Sequence, residues 1–245
     1  MPSENNLNSV FTDIANAIRN KKGSVDLIKP INMADEISTI ETGGGSTDFT
    51  IKDFITLRGS TAYLFYKAES LTDEQLASNL KYDYTTGVTN MQNMFDYCSN
   101  LTTIPPLNTS KVGIMSYMFN NCSNLITIPP LDTSKVESMP YIFNHCHSLE
   151  KIDITKLVRN TSNVANSCYS LKIFIIRTMD TIPTLKTNAF TNCYHFYGTV
   201  NATYNPDGLK DGAIYVPDDK VETLKTETNW SVFADIIKPL STYVE

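Results

Sequence analysis

The chain has 245 residues, enough for one sizeable core or two or three small domains, and 41% hydrophobic with 19% charged residues excludes a disordered polypeptide. A formal net charge of −6 excludes a partner gripped through its phosphates, so no nucleic acid is expected. No apolar run reaches the roughly 18 residues that cross a bilayer, and Met1–Asn6 lacks a basic and an apolar region, so neither membrane insertion nor Sec-type export is expected for the chain as given.

Residues 7–22 place Val10, Phe11, Ile14, Ala15 and Ile18 at helical spacing and close with Arg19, Lys21, Lys22 and Gly23, a C-terminal signal. A second short helix fits Met33–Ile40. Two such helices bury little on their own, so residues 1–42 read as an anchoring or assembly segment, with Val10, Phe11, Ile14 and Ile18 as the oligomer contacts. That stripe suits a homo-oligomer, a three-fold bundle among the options. Residues 43–47 form a Gly/Ser linker. Residues 48–83 read as a β-rich cap: Phe49, Ile51, Ile55 and Leu57 alternate before a break at Arg58-Gly59-Ser60, and Tyr63 and Phe65 follow, which predicts a hairpin. Thr72 with Gln75 then forms a capping box opening a short helix.

The next stretch repeats. Cys98, Cys122, Cys146, Cys168 and Cys193 are spaced by 24, 24, 22 and 25 residues. Phe95, Phe119, Phe143 and Phe190 stand three residues before a cysteine; Leu101, Leu125, Leu149, Leu171 and Phe196 stand three after. A fixed period of this length marks units that must stack to bury their apolar faces. Within a copy, Leu-x-x-Ile before Pro-Pro reads as a short strand stopped by proline. Asn108-Thr109-Ser110 or Asp132-Thr133-Ser134 supplies N-caps, and Val112, Met115, Met118 and Phe119 then follow at the spacing of one helical face. The fold class is an α/β repeat, a short leucine-rich-repeat-like solenoid of period about 24 over residues 84–200, with an N-terminal helical segment and capping elements. Residues 201–245 form the C-terminal cap: Gly212–Pro217 is a strand, and a helix starts at Asp218 and runs towards Trp230.

The string Met-Phe-x-x-Cys-Ser-Asn-Leu-x-x-Ile-Pro-Pro-Leu-Asp-Thr-Ser-Lys-Val resembles the BspA-type leucine-rich repeats, a family of surface and phage proteins associated with adhesion and recognition. The fourth copy departs, with Ala165 in the phenylalanine slot and the β-type run Leu171–Ile176 in place of the proline-stopped strand. Tyr215-Val216-Pro217, Asn229-Trp230 and Ile237-Lys238-Pro239-Leu240 resemble the terminal cap of the same family, which makes Trp230 a core residue sealing the last copy. Residues 14–23 and 28–33 are similar to N-terminal segments of tail and baseplate-associated proteins from phages of Gram-positive hosts.

Catalytic and metal-binding patterns are not found. His145-Cys146-His147, with His195 beside Cys193, offers metal-ligand types without metal-ligand spacing. Five cysteines in equivalent slots read as small buried residues rather than nucleophiles. No metal, no cofactor and no enzymatic activity are therefore expected. The outward slots are the candidate binding face: Thr103, Thr127 and Lys151, then Asp153 on the strand side, and the aromatics Tyr97, Tyr117 and Tyr141. The resemblances imply a binding or structural protein of a phage virion, in a tail, baseplate or fibre, with the solenoid displayed to a host-surface glycan or protein and the N-terminus held by other virion proteins. The alternatives are a secreted or cell-surface adhesin and a virion decoration or connector without a receptor.

Overall fold

A repeat unit that cannot satisfy its own backbone must bond to its neighbours, and here the pairing runs from copy to copy on both sides of each unit. The computed structural model of the chain describes residues 55, 59–158 and 161–245. The expected helices over 7–22 and 33–40, with Val10, Phe11, Ile14 and Ile18, and the linker at 43–47 lie outside them. On the turn side the earlier copy donates: the N–H groups of Met91, Asn93, Phe95 and Tyr97 reach the carbonyls of Ile114, Ser116, Met118 and Asn120 at 2.9–3.0 Å. Met115, Tyr117, Phe119 and Asn121 repeat this onto Ser138, Pro140, Ile142 and Asn144. On the extended side the later copy donates, as Ile126 N–H does to the Thr102 carbonyl at 2.9 Å.

The turn side corrects an expectation. Val112, Met115, Met118 and Phe119 are fully buried, but from consecutive tight turns rather than a helix, with Met118 N–H on the Met115 carbonyl at 3.2 Å and Cys122 N–H on that of Phe119 at 3.2 Å. Each turn segment from Ser60 to Cys168 holds two left-handed residues four apart, such as Tyr117 (φ 59°) and Asn121 (φ 60°), which a right-handed helix cannot contain. Asn108 and Asp132, read as helix caps, close local turns on the N–H groups of Ser110 (3.3 Å) and Ser134 (2.9 Å).

The copies begin earlier than residue 84. Ser60 bridges Asn90 in parallel, Asn90 bridges Ile114, and Ile114 bridges Ser138. Over the described half of the expected hairpin, Thr61, Tyr63, Phe65 and Lys67 instead donate to the carbonyls of Asn90, Gln92, Met94 and Asp96 at 2.8–3.0 Å. Phe65 takes the phenylalanine slot, Ala68 the cysteine slot and Leu71 the leucine slot. This copy is longer because α1 (Asp73–Asn79) is inserted after Leu71, with the expected capping box between Thr72 and Gln75. Buried Leu76 and Leu80 anchor α1. Its Asp73 carboxylate accepts from the N–H groups of Thr102 (3.0 Å) and Thr103 (3.3 Å), replacing the missing carbonyl and blunting the open edge. Burial raises the Asp73 carboxyl, but a hydrogen bond from the Thr102 hydroxyl and then these two N–H groups outweigh it, and the net shift is downward.

Proline decides where a regular sheet forms. Between the copies carrying Pro105-Pro106 and Pro129-Pro130 the expected strands shrink to one bridge, Thr103 with Thr127, because proline has no N–H to donate. From Lys151 onward that obstacle is relieved. Strands β1 (Lys151–Ile154), β2 (Ile173–Ile176), β3 (Ala213–Val216) and β4 (Ile237–Pro239) form a parallel sheet in the order β1-β2-β3-β4. Strands β1 to β3 contain no proline, and Pro239 is only the last residue of the outermost strand. Strand β2 is the β-type run expected in the fourth copy, and β3 is the strand expected in the cap. Ile152, Phe174, Ile214 and Ile237 share one register row and are buried. Such a parallel sheet, with a repeat-like arrangement and few helices, is compatible with the α/β repeat class.

After α2 (Tyr194–Tyr197), which ends at Gly198 in a left-handed conformation (φ 66°), the chain loops back into β3. A short 3-10 turn at Asp218–Lys220 leads into α3 (Val221–Thr226), which stops before Trp230 instead of reaching it. Trp230 is fully buried and its Nε1 donates to the Pro183 carbonyl at 2.9 Å, as a core residue should. Gly212 is held by proximity: a Cβ there would meet Phe196 Cδ1 at 2.3 Å. Gly212→Ala is expected to cost about 1–3 kcal/mol by overpacking. Urea unfolding measures it, and an unchanged midpoint would mean that the Phe196 ring yields freely.

Candidate functional site

Three internal ladders run along the stacked copies, of phenylalanine rings, of thiols and of amides. The phenylalanine rings stack parallel and offset, with centroids 5.5 Å apart from Phe65 to Phe95, 5.5 Å to Phe119 and 5.6 Å to Phe143. Beside them each thiol donates to a carbonyl of the copy before. Cys98 reaches Phe65, Cys122 Phe95, Cys146 Phe119 and Cys168 Phe143, each at 3.0 Å, and Cys193 reaches Ala165 at 3.1 Å. All five are free and buried. Burial pushes the Cys98 thiol up to about 12 and the other four above their ordinary value as well. The native chain at pH 8 is therefore expected to be inert to a disulfide-exchange reagent, with all five thiols reacting once it is denatured. A thiol that titrates rapidly in the folded chain would contradict this placement.

The third, the amide ladder, escaped the sequence reading. Asn120 Nδ2 donates to Asp96 Oδ1 (2.8 Å), Asn144 Nδ2 to Asn120 Oδ1 (2.7 Å), and Asn166 Nδ2 to Asn144 Oδ1 (2.9 Å). Asp96 ends the chain of amides, since a carboxylate accepts only; it also takes Asn93 Nδ2 at 2.7 Å. Its signal was present in the sequence: Asp96, Asn120, Asn144 and Asn166 each stand two residues before a cysteine.

The outward residues divide between the two sides. On the extended side Thr103 and Thr127 are exposed. Lys151 is half-buried, its Nζ donating to Tyr243 Oη at 2.6 Å. Asp153, expected to face solvent, is corrected: it is 3% exposed and clamped by Arg177, with Nε at 2.8 Å from Oδ1 and Nη2 at 2.6 Å from Oδ2. Its row on the sheet, with Ile175 and Tyr215, is covered in part by Tyr243, whose ring meets Tyr215 at 5.0 Å. A parallel sheet buried on both faces leaves little of that face for a ligand.

On the turn side the three tyrosines occupy two columns rather than one. Tyr97 fills the second left-handed slot and is 41% exposed, with the Lys67 ammonium 5.8 Å from its ring. Tyr117 and Tyr141 fill the first left-handed slot of successive copies and stack at 4.8 Å with planes 4° apart. A further aromatic column appears behind the cysteines: His147 stacks on Tyr169 (4.4 Å) and Tyr169 on Tyr194 (5.1 Å), with Tyr204 tilted against Tyr169 (4.9 Å). His145 and His147 approach at 3.4 Å between ring nitrogens, and burial together with His145 holds the His147 imidazole below its ordinary range. Cys146 between them faces the Phe119 carbonyl, and His195 pairs with Asp211 at 2.6 Å. Among the described residues no group of three or more His, Cys, Asp or Glu side chains is arranged to hold a metal ion.

Stacked copies of this kind are compatible with an α/β repeat-like fold. Residues 60–175, just under half of its length, match the model of a family described as a Mycoplasma protein of unknown function, DUF285, which fits a BspA-type repeat protein. The matched span opens at Ser60, where the first copy starts, and closes within β2. No curated protein and no solved structure matches the chain.

Proposed function

We propose that the chain is a non-enzymatic binding and structural protein of a phage virion, part of a tail, baseplate or fibre, whose copies form a short leucine-rich-repeat solenoid displayed for host-surface recognition. One observation carries the non-enzymatic part of this reading. The reactive side chains of the repeat, five thiols and a run of amides, are turned inward and bonded copy to copy, so what differs between copies outside is surface. A stack of near-identical units presents residues in columns, a layout suited to an extended or repetitive partner. The virion part rests on the likeness of residues 14–23 and 28–33 to phage tail and baseplate proteins, with residues 1–42 as the anchor.

The test is binding of the labelled full-length chain to washed Gram-positive cells. Saturable binding, competed by unlabelled chain and retained when residues 1–42 are removed, is the expected result. An absence of saturable binding on every strain tried would remove recognition and leave a connector or decoration role.

A further inference from the structure

The turn-side aromatics stand where the fold does not require them. Each copy from Ser60 to Cys168 places two left-handed residues four apart, and asparagine or serine serves at Asn93, Asn121, Asn163 and Ser167 with φ of 54°, 60°, 50° and 58°. Asparagine is among the non-glycine residues best suited to that region. Tyr63, Tyr97, Tyr117, Tyr141 and His145 hold the same slots at φ of 62°, 64°, 59°, 59° and 58°. Bulky side chains there are disfavoured by the backbone, and such strain collects where function holds it in place.

Packing does not account for them. Tyr97 has 41% of its surface in solvent. Tyr117 and Tyr141 are half-buried against each other, while the copies on either side carry Asn93 and Asn163 in that slot, so the outer faces of the pair are stacked on no ring of those copies. The neighbouring outward slots hold Ser99, Asn121 and Ser123, amides and hydroxyls rather than carboxylates, with the Lys67 ammonium, 5.8 Å from the Tyr97 ring, as a cation beside them. The extended side is meanwhile taken up at Lys151 and Asp153 by Tyr243 and Arg177.

We infer that the stacked pair Tyr117 and Tyr141, together with Tyr97 in the second left-handed column and with Tyr63 and His145 in the flanking copies, forms a binding surface for a neutral polysaccharide. Exposed parts of these rings take the C–H faces of sugars, and the amides, hydroxyls and phenols bond sugar hydroxyls. The inference rests on the recognition reading above and narrows it to one surface and one ligand class.

A triple variant, Tyr97→Asn, Tyr117→Asn and Tyr141→Asn, installs the residue that neighbouring copies use, and is expected to keep or raise the Tm. Full-length wild type and variant are sedimented with Gram-positive sacculi bearing their wall polysaccharide and with the same sacculi stripped of it by acid. Stripping or the triple substitution should each lower binding about tenfold or more, while Thr223→Ala, exposed on α3, leaves it within about twofold. Binding that survives the triple substitution or the stripping overturns the site or its ligand class and leaves recognition standing. A Tm lowered by about 4 °C or more would assign the rings to packing and overturn the inference. Wild type that binds none of the sacculi overturns both this inference and recognition itself.

Discussion

Phe119→Ala is expected to cost about 3–5 kcal/mol, a large share of the roughly 5–15 kcal/mol that holds a domain folded. The ring is fully buried between Phe95 at 5.5 Å and Phe143 at 5.6 Å, so truncation opens a cavity in the middle of a column with no free side chain to fill it. Because copies touch only their neighbours, the loss also weakens the coupling between the two halves of the stack. Urea unfolding should show a lower midpoint, with a broadened or split transition. A midpoint within experimental error of wild type would mean that the phenylalanine column is not what the copies are built on.

Asp96→Ala carries the second large effect. It leaves the buried Nδ2 groups of Asn93 and Asn120 without the acceptor they use, at about 1–3 kcal/mol for each orphaned donor. Asp96→Asn keeps one acceptor oxygen but turns an amide donor toward the other Nδ2, so it orphans one donor rather than two and should cost about 1–3 kcal/mol, less than Asp96→Ala. The pH dependence separates the two residues. Burial raises the Asp96 carboxyl above its ordinary value, although Asn120, Asn93 and Asn121 donate to it and Lys67 attracts it. Between the ordinary carboxyl pKa and this raised one, the folded chain therefore holds a proton that the unfolded chain has lost. Stability from this group falls as pH rises through that window, so wild type should gain on Asp96→Asn as the solution is acidified. A difference between them that does not change with pH would place the carboxylate in solvent rather than at the end of the amide ladder.

The columns were legible because a stacked repeat writes its core into one period. The cysteine spacing located the phenylalanine and leucine slots, and Trp230 and the Thr72 capping box stand as the sequence implied. The helix reading failed because Val112, Met115, Met118 and Phe119 are inward at helical spacing whether the chain winds as a helix or as successive turns. The discriminating signal was local: Pro140 inside the turn segment that leads to Cys146, and asparagines at the left-handed slots. The first copy was missed because α1 stretches it and Ala68 replaces its cysteine. Asp153 was placed outward by alternation alone, and nothing near it in sequence announces that Arg177, one copy later, folds back over it.

The most direct test of the two-part account, a displayed repeat with an N-terminal assembly device, is solution mass by light scattering of the full chain beside a variant lacking residues 1–42. The account predicts an oligomer that falls to a monomer on truncation. Two monomers would contradict self-assembly through that segment.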